Sequence, residues 1–198
     1  MTNQKTDDQP HSSKDDTAKA DLTRRDALIA LGAAGVGAGG LGALAWGRLD
    51  DTGRDANSVA TTDREILVAA AKALYPEQVS GIDSFVETYV VGRVENRSAY
   101  LDGVQAAAQA LDEYTRHWYD QSFADLDRST RQDVFDDYGL ADRDPDPDGT
   151  ERQRARYYLV NELLFAFYSS PTGGSLIGLE NPPGHPGGLE TYQRGSPK

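Results

Sequence analysis

Asp144-Pro145-Asp146-Pro147-Asp148-Gly149 has the D-x-D-x-D-G spacing that opens a calcium loop, in which alternate carboxylates converge on a hard cation. Asp144, Asp146 and Asp148 are the metal-site candidates of this chain. Two features count against them. Position twelve is Ala155 where such a loop needs glutamate, and two prolines stiffen the backbone that would carry the ligands. An acidic linker is the simpler reading. The histidines add nothing to it: His11, His117 and His185 are far apart, and none has a second histidine at i+3 or i+4, so zinc and iron find no ligand pattern.

Other chemistries are excluded outright. The chain has no cysteine, which removes disulfides, thiolate catalysis, cysteine-ligated metal clusters and covalently attached c-type haem. The serine hydrolase elbow and the glycine patterns of dinucleotide and phosphate loops are missing. Gly173 and Gly174, like Gly187 and Gly188, read as turn formers. Carboxylates are plentiful, but nothing in the sequence selects an acid–base pair. The sequence therefore offers no catalytic and no cofactor-binding residue, and any redox cofactor must belong to a partner.

Composition narrows the partners. The 198 residues include 32 acidic and 20 basic side chains, a net charge of −12. Such a surface repels phosphate backbones, which excludes nucleic acid. An acidic chain with few lysines also suits concentrated salt, where screening removes self-repulsion, so a halophilic source is expected.

Against this acidity, Arg24 and Arg25 stand side by side before an uncharged run, Ala27 to Trp46. The run is long enough to span a bilayer as a helix, but its glycines make it only weakly hydrophobic. A polar leader, a paired arginine and a weakly apolar stretch form a twin-arginine export signal, read by a receptor as an address. The twin-arginine translocase is then one partner, and the chain is expected at the extracytoplasmic face of the membrane or at the cell surface. Ala43 and Ala45 would permit cleavage before Trp46. The alternative is an uncleaved anchor holding a free-standing helical protein at the cell surface.

The elements that follow are helical. The expected organisation is a disordered leader over 1–26, an apolar signal or anchor segment over 27–46, a polar linker over 47–60, a helical domain over 61–168 and an extended tail over 169–198. Within the domain, Thr62 and Glu65 suggest a capping box for a first helix that Pro76 ends. A second helix starts near Asp83. Leu101, Val104, Ala108, Leu111, Thr115 and Trp118 place one stripe of a third helix, about 98–119, against a core. A short helix stops at Gly139, and a last one, about 151–168, is apolar almost all round in its second half and should be central and buried. Asn161 and Glu162 interrupt it, so that carboxylate must be paired, exposed at an edge or covered by another protein. The fold class is all-α, about five helices followed by a Gly/Pro-rich tail too irregular for a helix.

The order of features from Leu74 onward resembles gluconate 2-dehydrogenase subunit 3. The resemblance rests on "LYP" closing the first helix, "IDSFVETYV" after it, "YLDGVQAAAQALDEYTRHWYDQSFADL", a long helix ending "LLFAFYSSP", and the tail "TGGSLIGLENPPGHPGG". It implies a helical, non-catalytic small subunit of a membrane-associated dehydrogenase. Its large partner would carry FAD and be of the glucose-methanol-choline type, and a cytochrome would accept the electrons. The leader would take that partner out of the cytoplasm as a passenger. The resemblance places Gly173, Gly174, Gly178, Pro182, Pro183, Gly184 and His185 in the partner-facing tail, and Tyr192 beyond them is an apolar anchor by which that tail would dock on the domain or a partner. Without cysteine the complex must be non-covalent.

Overall fold

The computed structural model describes residues 20–35, 59–94 and 97–178, and over these the protein is all-α. The elements are a short strand β1 (Ala20–Asp21), α1 (Arg24–Ala33), α2 (Thr61–Leu74), a short strand β2 (Val79–Ser80), α3 (Ile82–Val94) and α4 (Ser98–Tyr119). A 3₁₀ turn (Phe123–Asp125), α5 (Arg128–Asp137), α6 (Glu151–Ala155), a π-helical turn (Arg156–Asn161), α7 (Glu162–Ser169) and α8 (Pro171–Leu176) follow. The expected cleavage residues Ala43 and Ala45, and the tail residues Pro182, Pro183, Gly184, His185 and Tyr192, lie outside the described residues.

The core forms where the apolar stripes meet. α2 buries Ile66, Leu67, Ala70 and Ala71, and α4 buries Leu101, Val104, Ala108 and Leu111. The predicted capping box of α2 does not form: the helix begins at Thr61 after Ala60, with no side-chain cap. The stripe of α4 outruns the core, so Trp118 is 67% exposed and meets Tyr114 and His117. Tyr75, at the C-cap of α2, is fully buried, stacks on Phe167 and donates its hydroxyl to the Leu163 carbonyl at 2.8 Å. Arg128 and Gln132 of α5 donate to the Tyr75 and Ala73 carbonyls, two of the acceptors left open at the end of α2.

Two expectations about the chain ends need correction. Residues 20–26 are not a structureless leader. β1 pairs in parallel with β2, with Leu22 donating to the Ser80 carbonyl at 2.9 Å, and α1 packs its Ala27, Ala30 and Leu31 into the core. Gly81 makes this pairing possible, since a Cβ there would sit 2.0 Å from the Leu22 carbonyl oxygen. The tail is not extended throughout either. Residues 171–176 are helical because Ser170 caps the Gly173 amide and Pro171 takes the first helical position, where its missing N–H costs nothing. No helix among the described residues is long and apolar enough to cross a membrane, and α1 ends at Ala33.

Candidate partner interface

The last long helix is where the sequence and the structure differ most informatively. A π-helical turn at 156–161 lies between α6 and α7, yet the inward face keeps the three- and four-residue steps of an amphipathic helix along the whole run. Ala155, Leu159, Val160, Leu163, Ala166 and Phe167 are buried. Tyr157, Phe165 and Tyr168 are left outside, the last two 42% and 40% exposed, so the helix expected to be buried all round is not. Ile177, just after α8, is also exposed. Residues 163–178 carry no charge in a chain that is 26% charged, and Phe165, Tyr168 and Ile177 all fall in that stretch.

Glu162, flagged by the sequence as a carboxylate needing a partner, has two. Its Oε1 accepts from Arg93 Nε and from the Tyr89 hydroxyl, each at 2.6 Å. The Arg93 guanidinium lies 4.8 Å from the centre of the Tyr100 ring. Burial first, then the Glu162 charge, pushes the Tyr89 and Tyr100 hydroxyls far above the ordinary tyrosine range, so both stay protonated. The cavity beside them is about 10 Å³, barely room for one water. The cluster joins α3 to α7 and has no space for a substrate.

A larger open groove of about 540 Å³ runs along α2, α3 and the 3₁₀ turn. Its walls mix Arg64, Lys72 and Arg131 with Glu65, Asp83, Glu87 and Asp125, and Lys72 pairs with Asp83 at 2.5 Å. It contains no histidine, and no nucleophile held by a base.

The calcium candidates are not gathered. Asp146 Oδ1 accepts the Asp148 amide, and no group of three or more histidine or carboxylate side chains able to hold a metal exists among the described residues. The prolines at 145 and 147 keep the chain in an irregular run ahead of α6. Arg152, in the first turn of α6, lies over the Tyr138 ring at 5.1 Å.

Gly173 and Gly174 are buried in α8, not turn formers. A Cβ on Gly173 would meet the Phe167 carbonyl oxygen at 2.1 Å, so glycine there serves close packing of α8 on α7. Gly178 is exposed with φ +80°. Arg24 and Arg25 are exposed in the first turn of α1. Between them and the tail stands Asp26, which the sequence did not single out: it accepts from Thr23 on its own helix and from the Thr172 amide of α8 at 3.0 Å. Burial would raise its pKa, but these hydrogen bonds prevail and hold it below the usual carboxylate value.

Comparison with curated proteins and with solved structures returned no match. A family model does match, "Gluconate 2-dehydrogenase subunit 3", over residues 61–187. That span begins with α2 and includes every helix from there to α8. The chain thus belongs to the gluconate 2-dehydrogenase subunit 3 family, accessory subunits of a dehydrogenase.

Proposed function

We propose that this protein is the non-catalytic small subunit of an exported, flavin-dependent dehydrogenase of the glucose-methanol-choline type. The large partner carries FAD, a cytochrome takes the electrons, and the complex works at the extracytoplasmic face of the membrane or the cell surface. The Arg24–Arg25 pair addresses the assembled complex to the twin-arginine translocase.

The observation that carries this reading is the charge-free stretch 163–178 with Phe165, Tyr168 and Ile177 exposed in it. On a strongly acidic surface, exposed aromatic side chains free of charged neighbours in sequence have the composition of an interface core. Phe165 and Tyr168, at i and i+3 on α7, would supply rigid anchors. The described pockets hold no catalytic constellation, and membership of a dehydrogenase accessory family supports a role through binding.

Affinity purification of the tagged protein from its own cells in molar salt tests the proposal. A large co-eluting chain with flavin absorbance is the expected result. A colourless, lone polypeptide would remove it and favour the free-standing cell-surface protein.

A further inference from the structure

The helix that begins with the arginine pair is folded onto the domain, and its contacts have an unusual character. α1 buries two alanines, Ala27 and Ala30, and one large side chain, Leu31, with Leu22 just ahead of it. Leu31 fits over Gly92 of α3 so closely that a Cβ on Gly92 would stand 2.4 Å from its Cδ1. At the other end Asp26 ties the first turn to the Thr172 amide of α8. Leu28 and Ile29 are half-buried, and no ion pair joins α1 to the rest of the described residues.

A helix of 10 residues is too short to persist alone in water, so this one exists because it is docked. It lies along α3 and against α7 through small side chains, with Leu31, and Leu22 just ahead of the helix, the only large buried ones and one carboxylate shared with α8. Elsewhere the domain is joined by fully buried aromatics such as Tyr75, Phe85 and Phe167. Segments with few large buried contacts open separately from the core. Residues 27–35 are also the first part of the apolar run that must leave the domain if it is to enter a translocase.

The geometry points to a latch. In the free subunit α1 is closed on α3, α7 and α8, held by Leu31–Gly92 and Asp26–Thr172, which withholds the first part of the apolar run, residues 27–33, while leaving Arg24 and Arg25 on the surface. Release of α1, with the rest of the domain still folded, makes the signal usable. The export role of the latch rests on the twin-arginine reading above; its existence as a separately opening segment does not.

Two variants open it from opposite ends: Asp26→Ala removes the tie to α8, and Gly92→Val displaces Leu31. Hydrogen exchange on the full chain should show the Leu28–Ala33 amides protected in the wild type. Each variant should lower that protection by about tenfold or more while the amides of α4 keep theirs. Equal loss in α4 would show α1 to be inseparable from the core, and unprotected wild-type amides would show that it never docks; either overturns the latch. In cells, Gly92→Val should raise the exported fraction, and a fraction no greater than that of the wild type overturns the gating role. Arg24→Lys with Arg25→Lys should abolish export. Unchanged export there would remove the signal reading, and with it the gate, whatever the exchange data show.

Discussion

Glu162 of α7 and Arg93 of α3 meet at 2.6 Å with their side chains only 14% and 16% exposed, so one mostly buried ion pair joins helices that are distant in sequence. The Tyr89 hydroxyl donates to the same carboxylate oxygen. Removing one member leaves the other buried and unpaired. Arg93→Leu is expected to cost about 3–5 kcal/mol of unfolding free energy, read from urea denaturation. Arg93→Leu combined with Glu162→Leu should recover part of that loss, because two apolar side chains bury no charge. A double variant no more stable than the single would show that the pair acts through geometry beyond charge.

Gly103 lies on α4 where Tyr158 crosses it, and a Cβ there would approach the ring to 2.4 Å. Alanine favours an isolated helix over glycine by about 1 kcal/mol, yet overpacking a close crossing costs about 1–3 kcal/mol. Gly103→Ala should therefore lower the thermal midpoint. A raised midpoint would mean that Tyr158 is free to move aside.

Stability should fall below about pH 4, and two carboxylates set the sign. Burial would raise the pKa of Asp112, but hydrogen bonds from Ser122, Arg116 and the Phe123 amide, with the Arg116 charge, hold it below 3.8. Asp26 is lowered in the same way by Thr23 and Thr172. A carboxylate with a depressed folded pKa stabilises the fold above its unfolded value, and this is lost as pH falls through the folded one. Asp112→Asn should flatten the acid limb of a stability–pH curve. An unchanged limb would place the acid sensitivity elsewhere.

Asp63 runs the other way. It is 3% exposed, its Oδ2 has no hydrogen-bond partner among the described residues, and burial followed by the Asp112 charge raises its pKa above 3.8. The protonated form is favoured in the fold, so its contribution is present at acid pH and lost as pH rises through the raised value. Asp63→Asn should increase stability at neutral pH by about 1 kcal/mol and change little at acid pH, measured by urea midpoint.

Much of the helical domain was legible in the sequence. The stripe from Leu101 to Thr115 fixed α4, Pro76 and Gly139 marked ends, and Glu162 announced its need for a partner. The errors at the two chain ends share one physical origin, which is that local pattern does not report tertiary contact. Residues 20–26 look too polar to fold, yet β1 gains its bonds from β2, 59 residues away at Asp21 and Ser80, and Asp26 gains its own from Thr172. Residues 171–176 look too rich in glycine for a helix, yet Gly173 is the side-chain-free position that lets α8 approach the Phe167 carbonyl. The aromatic face was hidden for a different reason. An apolar side chain need not face inward: Ala155, Leu159, Leu163 and Ala166 form the buried stripe at three- and four-residue steps, which leaves Phe165 and Tyr168 on the opposite face. A run of residues without charge, 163–178, was the available signal.

The claim that this face binds the flavoprotein is tested most directly by the flavin-to-subunit ratio of the affinity-purified complex, compared between the wild type and Phe165→Asp with Tyr168→Asp. Both side chains are exposed, so the double variant should keep the wild-type circular dichroism spectrum. The account predicts a near-stoichiometric flavin signal for the wild type and its loss, by about tenfold or more, in the variant. A correctly folded variant that retains the full flavin signal would contradict it.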